Sequence, residues 1–130
     1  MHMSLRVSLL SIALVGGVST FASAARVPHL KLKASFPAKD STLTSSPDAV
    51  RLWLTEPADL PATRIAVTDA KGASVPVAKL TRGANASDPV EGRFTAPLTN
   101  GRYTVTWKAM SKDGHVVNGT FGFTVRLSGS

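Results

Sequence analysis

The stretch "GRYTVTWKAMSKDGHVVNGTFGFTVRL", residues 101–127, decides the fold. Its opening alternates strictly: Tyr103, Val105, Trp107 and Ala109 fall on one side, and Arg102, Thr104, Thr106 and Lys108 on the other. Its end repeats the pattern, with Phe121, Phe123 and Val125 against Gly122, Thr124 and Arg126. A period of two is the mark of a strand with one face buried and one wet. The piece between, "SKDGHVVNG" at 111–119, is turn chemistry built on Asp113 and Gly114, and it carries His115, one of three histidines in the chain. Two strands joined by a polar turn follow from the residues alone.

Outward from there, the same alternation recurs in "AVRLWLTEP", where Val50, Leu52 and Leu54 oppose Arg51, Trp53 and Thr55. Weaker strands fit "HLKLKASF", "TRIAVTD", "PVAKL" and "GRFTA", and Gly, Asn, Asp and Pro clusters around Gly72, Arg82–Pro89, Asn100–Gly101 and Gly114 separate them. No segment sustains the i, i+3, i+4, i+7 spacing of a helix. About seven short strands in about 100 residues predict an all-β fold, an immunoglobulin-like Greek-key β-sandwich. A small closed barrel is the alternative.

The N-terminal 24 residues read differently. Arg6 precedes an apolar run from Val7 to Val18, and small residues end in Ala22-Ser23-Ala24. That order is a secretory signal peptide, and the run is short of the ~20 apolar residues of a membrane span. Cleavage after Ala24 is expected to leave a mature domain of 25–130 with no membrane span. It would lose only Arg6 among the charged residues, so the formal charge would fall from +7 to +6. An exported domain with no Cys is held by packing alone. The same absence excludes thiolate metal sites, thiol catalysis and thiol redox relays. Basic residues are scattered singly without interleaved aromatics, which argues against a nucleic-acid partner.

Catalytic constellations are thin. Neither His29 nor His115 sits near a nucleophile-elbow signature, no glycine-rich phosphate loop is present, and most of the carboxylates lie in turns, where Asp is commonplace. The expectation is therefore a protein that is not an enzyme. What remains is two histidines with carboxylates nearby. His29 opens the first strand, His115 follows Asp113 at i, i+2, and Glu56 closes a strand just before Pro57. Imidazole nitrogens with carboxylate oxygens suit Cu(II), and zinc accepts the same ligands. An Asp-x-His turn is more often a solvated loop than a ligand set, and alternation gives no reason for residues 29, 56 and 113–115 to meet.

Taken together, "HLKLKASFPAKDSTLTSSPDAVRLWLTEP" and "GRYTVTWKAMSKDGHVVNGTFGFTV" resemble the CopC family of periplasmic copper-resistance proteins, from His29 to Val125. The pieces that carry the resemblance are the early His29, Pro37-Ala38-Lys39-Asp40-Ser41, the strand ending at Glu56, Gly101 to Trp107 as G-x-Y-x-V-x-W, and Ser111 to Gly119 as S-x-D-x-H-x-x-x-G. The resemblance implies a periplasmic, monomeric β-sandwich that binds Cu(II) through His29, His115, Asp113 and Glu56. It also implies copper exchange with an inner-membrane copper transporter or another copper-handling protein.

Two departures stand out. The resemblance expects a histidine as first mature residue, whereas cleavage after Ala24 leaves Ala25-Arg26-Val27-Pro28 ahead of His29, and Pro28 offers no backbone N–H. The predicted mature chain also has one methionine, Met110, so a thioether Cu(I) site is not supported. The competing functions are a metal-free sandwich that serves as an interaction module after losing its copper site, and a histidine-brace copper oxygenase, which needs the N-terminal amine as a ligand.

Overall fold

The computed structural model describes residues 16–19 and 29–129. Apart from 16–19, the signal-peptide reading of residues 1–24 and the residues that would precede His29 lie outside the described part. Among the described residues nine strands run in chain order: β1 (Leu32–Phe36), β2 (Thr42–Leu43), β3 (Ala49–Leu54), β4 (Arg64–Thr68), β5 (Ser74–Val75), β6 (Thr81–Arg82), β7 (Val90–Arg93), β8 (Gly101–Met110) and β9 (Val116–Val125). A 3-10 turn, Leu60–Ala62, precedes β4. The strands form two sheets, one ordered β1-β3-β7-β6 and the other β2-β9-β8-β4-β5. The chain is thus a β-sandwich, and the closed-barrel alternative is set aside.

The alternating residues of the three strong segments are the ones that pack between the sheets. Val50, Leu52, Tyr103, Val105, Trp107, Ala109, Phe121, Phe123 and Val125 are all buried in one cluster. Burying a side chain of this kind contributes about 1.5–3 kcal/mol. β8 and β9 pair without a break from Gly101↔Val125 to Met110↔Val116. In that register Trp107 stands opposite Gly119, and a Cβ at 119 would lie 2.8 Å from the indole Nε1. The last glycine of the S-x-D-x-H-x-x-x-G pattern therefore makes room for the tryptophan of the neighbouring strand. Tyr103 stacks on Phe123 with centroids 5.4 Å apart. Its hydroxyl donates to the Thr99 carbonyl at 2.7 Å, the way a tyrosine corner ties a sandwich strand to the loop before it.

The proline-led motif after β1 is structural as well. Pro37–Ser41 carries the chain from the first sheet to the second: the Asp40 N–H donates to Gly122 O at 2.7 Å, and Ser41 closes on Ala38 O through its N–H and its hydroxyl. Asp40 takes a left-handed φ of 59°, which aspartate tolerates better than most residues. β2 then pairs parallel with β9.

Differences from the sequence reading are confined to the weak segments. "PVAKL" does not form a strand of its own. Pro76 lacks the N–H that a ladder needs, so pairing stops at Ser74–Val75 and resumes at Thr81–Arg82, with only a lone bridge between Val77 and Phe94. "GRFTA" is displaced toward the N-terminus, as Val90–Arg93. β2, two residues long, carries no periodicity to read.

The outer faces are polar, with several cations paired. Arg51 bonds Glu91 at 2.8 Å and Asp48 at 3.1 Å, Arg93 joins the same two acids, and Arg102 pairs with Asp40 at 3.2 Å. The Arg51 hydrogen bond holds the Asp48 carboxyl below its usual range. Among the described residues no buried side-chain polar atom lacks a partner.

Candidate metal centre

The turn from β8 to β9 is tied together by its own hydrogen bonds. Ser111 leaves the sheet buried. Its N–H donates to His115 O at 2.8 Å, while Gly114 N–H donates to Ser111 O at 3.0 Å and takes φ 89° to bring the chain back. Only a residue without a Cβ adopts that φ readily, so Gly114 fixes where Asp113 and His115 emerge.

Within this turn Asp113 Oδ2 lies 2.7 Å from His115 Nδ1. Asp113 Oδ1 accepts from the Ser111 hydroxyl and, at 3.4 Å, from the His115 N–H. These bonds, the one from Ser111 foremost and the one from His115 next, lower the Asp113 carboxyl to about 2. It is therefore an anion at any ordinary pH. With Nδ1 protonated and donating to this carboxylate, the Nε2 lone pair of His115 is left for a metal, the arrangement by which a carboxylate sets the tautomer of a ligating histidine. Both side chains are open to solvent, at 70% for His115 and 51% for Asp113.

An i, i+2 spacing puts two side chains on the same side where the backbone is extended. Residues 112–114 form a turn and not extended backbone, so the turn, and not strand alternation, brings the two side chains together. Ser111 was not singled out from the sequence as a site residue. The signal was its place two residues before the aspartate in a tight turn, where Ser hydroxyls habitually bond local acceptors.

His29 and Glu56 sit at the same end of the sandwich on other segments. His29 is exposed just before β1, and its carbonyl accepts from the Thr55 hydroxyl at 3.2 Å. Lys31 N–H donates to the same hydroxyl at 2.8 Å, and Thr55 N–H donates back to Lys31 O at 2.9 Å. The backbone at His29 is thus pinned to the residue before Glu56. The segment following Glu56 reaches the other sheet, where Asp59 N–H donates to Met110 O at 2.8 Å, one residue before Ser111. Glu56 is half-buried beside Arg82, Asp88 and Pro57 in a shallow depression. Among the described residues no three His, Asp or Glu side chains come together closely enough to hold a metal ion. The direct contact is between Asp113 and His115, and neither His29 nor Glu56 joins it.

Trp53 is half-buried on the outer face of the first sheet, opposite Ala34 of β1. Met110 ends β8, half-buried.

Comparison with known proteins matches residues 32–126 to the CopC domain. This chain belongs to the CopC family. A copper resistance protein C from Escherichia coli is 32% identical over 119 residues, covering 87% of this chain and 94% of its own length. The crystal structure of CopC from Methylosinus trichosporium OB3b superposes with a TM-score of 0.72 at 24% identity, over 78% of this chain and 98% of that one, which supports the fold. PcoC, a methionine-rich copper resistance protein from Escherichia coli, superposes with a TM-score of 0.67 at 29% identity, over 76% of this chain and all of its own. The family's domain begins three residues after His29 and ends beyond β9, so it takes in Glu56, Asp113 and His115. Among the described residues no helix is long and apolar enough to cross a membrane.

Proposed function

We propose that this protein is exported to the periplasm, binds copper there, and carries or sequesters it without turnover of its own. The observation that supports this best is the Asp113–His115 pair, a histidine whose ring is oriented by a carboxylate ionised at any ordinary pH, set in a chain of the CopC family. The donor set is hard and nitrogenous, which suits Cu(II). One methionine outside the signal segment gives no soft set for Cu(I).

In this reading His115 binds through Nε2, Asp113 fixes its ring, and His29 and Glu56 supply the remaining protein ligands once the metal draws them in. With cleavage after Ala24 the free amine stands four residues ahead of His29. The site would then bind Cu(II) more weakly than one in which ring and amine of a single residue both ligate. The copper would pass to or from an inner-membrane transporter or another copper-handling protein, with the carrier a monomer.

A second reading is favoured by the separation of His29 and Glu56 from the pair. It holds that the sandwich has kept the fold and lost the metal. Titration of the exported protein with Cu(II), in parallel with His29→Ala and Glu56→Gln, separates the two. A carrier saturates at one equivalent and weakens in His29→Ala. A metal-free module shows weak, unsaturable uptake that neither substitution alters. Intact mass of the exported chain fixes the true N-terminus.

A further inference from the structure

Where the sheet edges part between β4 and the β5–β6 connection, a cleft of about 580 Å³ opens beside the 3-10 turn. Its apolar lining includes Leu60, Ile65, Val77 and Leu80, and its two charged lining residues are Arg64 and Lys79, both exposed cations. No carboxylate lines it. Arg64 is held in place: its Nη1 donates to Pro61 O at 2.6 Å and Thr63 O at 2.8 Å.

A second observation points the same way. β4 and β8 pair antiparallel with Arg64 opposite Lys108. Like charges directly opposite in such a ladder destabilise it. Arg51, Arg93 and Arg102 on the outer faces have carboxylate partners, but among the described residues none pairs with Arg64, Lys79 or Lys108. Two cations without a carboxylate partner thus line a largely apolar cleft, and a third stands on the neighbouring strand opposite Arg64.

We propose that this cleft docks an extended acidic and apolar segment of a protein partner, with apolar side chains over Ile65, Val77 and Leu80 and carboxylates meeting Arg64, Lys79 and Lys108. A segment fits better than a small amphiphile. The cleft rim is exposed at Pro61, Arg64, Ala78 and Lys79, so it cannot enclose a small ligand as pockets for such ligands do. Lys108 also lies beyond the cleft lining, where only a longer occupant reaches it. The 3-10 turn that walls the cleft is bonded through Asp59 to Met110, next to the turn that bears His115. The docked partner therefore lies beside the metal end; its service as copper donor or acceptor rests on the copper reading, whereas its binding does not.

The test is fluorescence anisotropy of a labelled six-residue peptide of alternating Glu and Leu, titrated with the full exported chain without copper, with the Lys–Leu counterpart as control. Saturable binding is expected for the acidic peptide only. It should weaken about tenfold in Arg64→Glu/Lys79→Glu, less in Lys108→Glu, and further in high salt. Because Arg64 braces the 3-10 turn, Lys79→Glu alone serves as the variant that leaves the fold intact, checked by circular dichroism. Equal binding by the native chain and the charge-reversed variants overturns the proposal. So does binding of dodecanoate or of phosphatidylglycerol vesicles through these residues without binding of the peptide. A Cu(II) titration of the same variants keeps the two readings apart, since none of these cations is a proposed ligand: copper uptake that fails while the peptide still binds sinks the carrier reading alone.

Discussion

The strands β8 and β9 and the five residues that join them obey different rules. In the strands every second side chain is committed to the core, and the partners are fixed by an unbroken ten-pair register. In the turn from Ser111 to His115 only Ser111 is buried, and local hydrogen bonds, not packing, decide where the side chains go. The lesson is a division of labour: the hairpin supplies stability and a fixed end point, and the turn supplies a poised imidazole at little cost to the fold. Substitutions in the strands should therefore change stability and spare copper, and substitutions in the turn should do the reverse.

The largest effect is expected from Phe123→Ala. Phe123 is fully buried against Tyr103, so urea denaturation should show a loss of about 3–5 kcal/mol. The folded fraction should still take up copper as before. Gly119→Val comes next. The added methyls drive into the Trp107 indole, and overpacking of this kind costs about 1–3 kcal/mol. Tryptophan emission should shift with it. Equal loss of copper affinity in either variant would break the division between strand and turn.

That division also marks how much of the molecule was legible beforehand. Residues 101–110 and 121–125 declared themselves because alternation over several residues has no competing explanation. Two-residue strands such as Thr42–Leu43 and Ser74–Val75 have no period, and Pro76 interrupts the segment that looked continuous. At the site, the spacing of Asp113 and His115 reads more readily as a solvated loop than as a ligand pair, and the family resemblance singles them out; a turn, not strand alternation, joins them. The positions of His29 and Glu56 relative to that pair depend on how two loops from different sheets are tied, through Thr55 and through Asp59 to Met110. Contacts 24 or more residues apart leave no local trace.

Smaller effects sharpen the account inside the turn. Asp113→Asn removes the charge that orients His115. Loss of such a partner typically weakens metal binding about 10–100-fold, with stability near neutral pH expected to change little at so exposed a position. Ser111→Ala should weaken copper less, because it acts on Asp113 and not on the ring. The smallest effect is in acid. The Asp113 carboxyl titrates at about 2, below its ordinary 3.8, so its contribution to stability is full above about pH 4 and is lost as pH falls toward 2. Thermal unfolding of the native chain should decline slightly more across that window than that of Asp113→Asn, which keeps the share due to Asp48.

The most direct test of the central claim is electron paramagnetic resonance of the exported protein with one equivalent of Cu(II), repeated on His115→Ala. The account predicts a single tetragonal species with nitrogen coupling in the native chain and its disappearance in the variant, with the fold unchanged by circular dichroism. An identical spectrum from both proteins would contradict it, because the oriented imidazole of the β8–β9 turn would then not be the copper ligand.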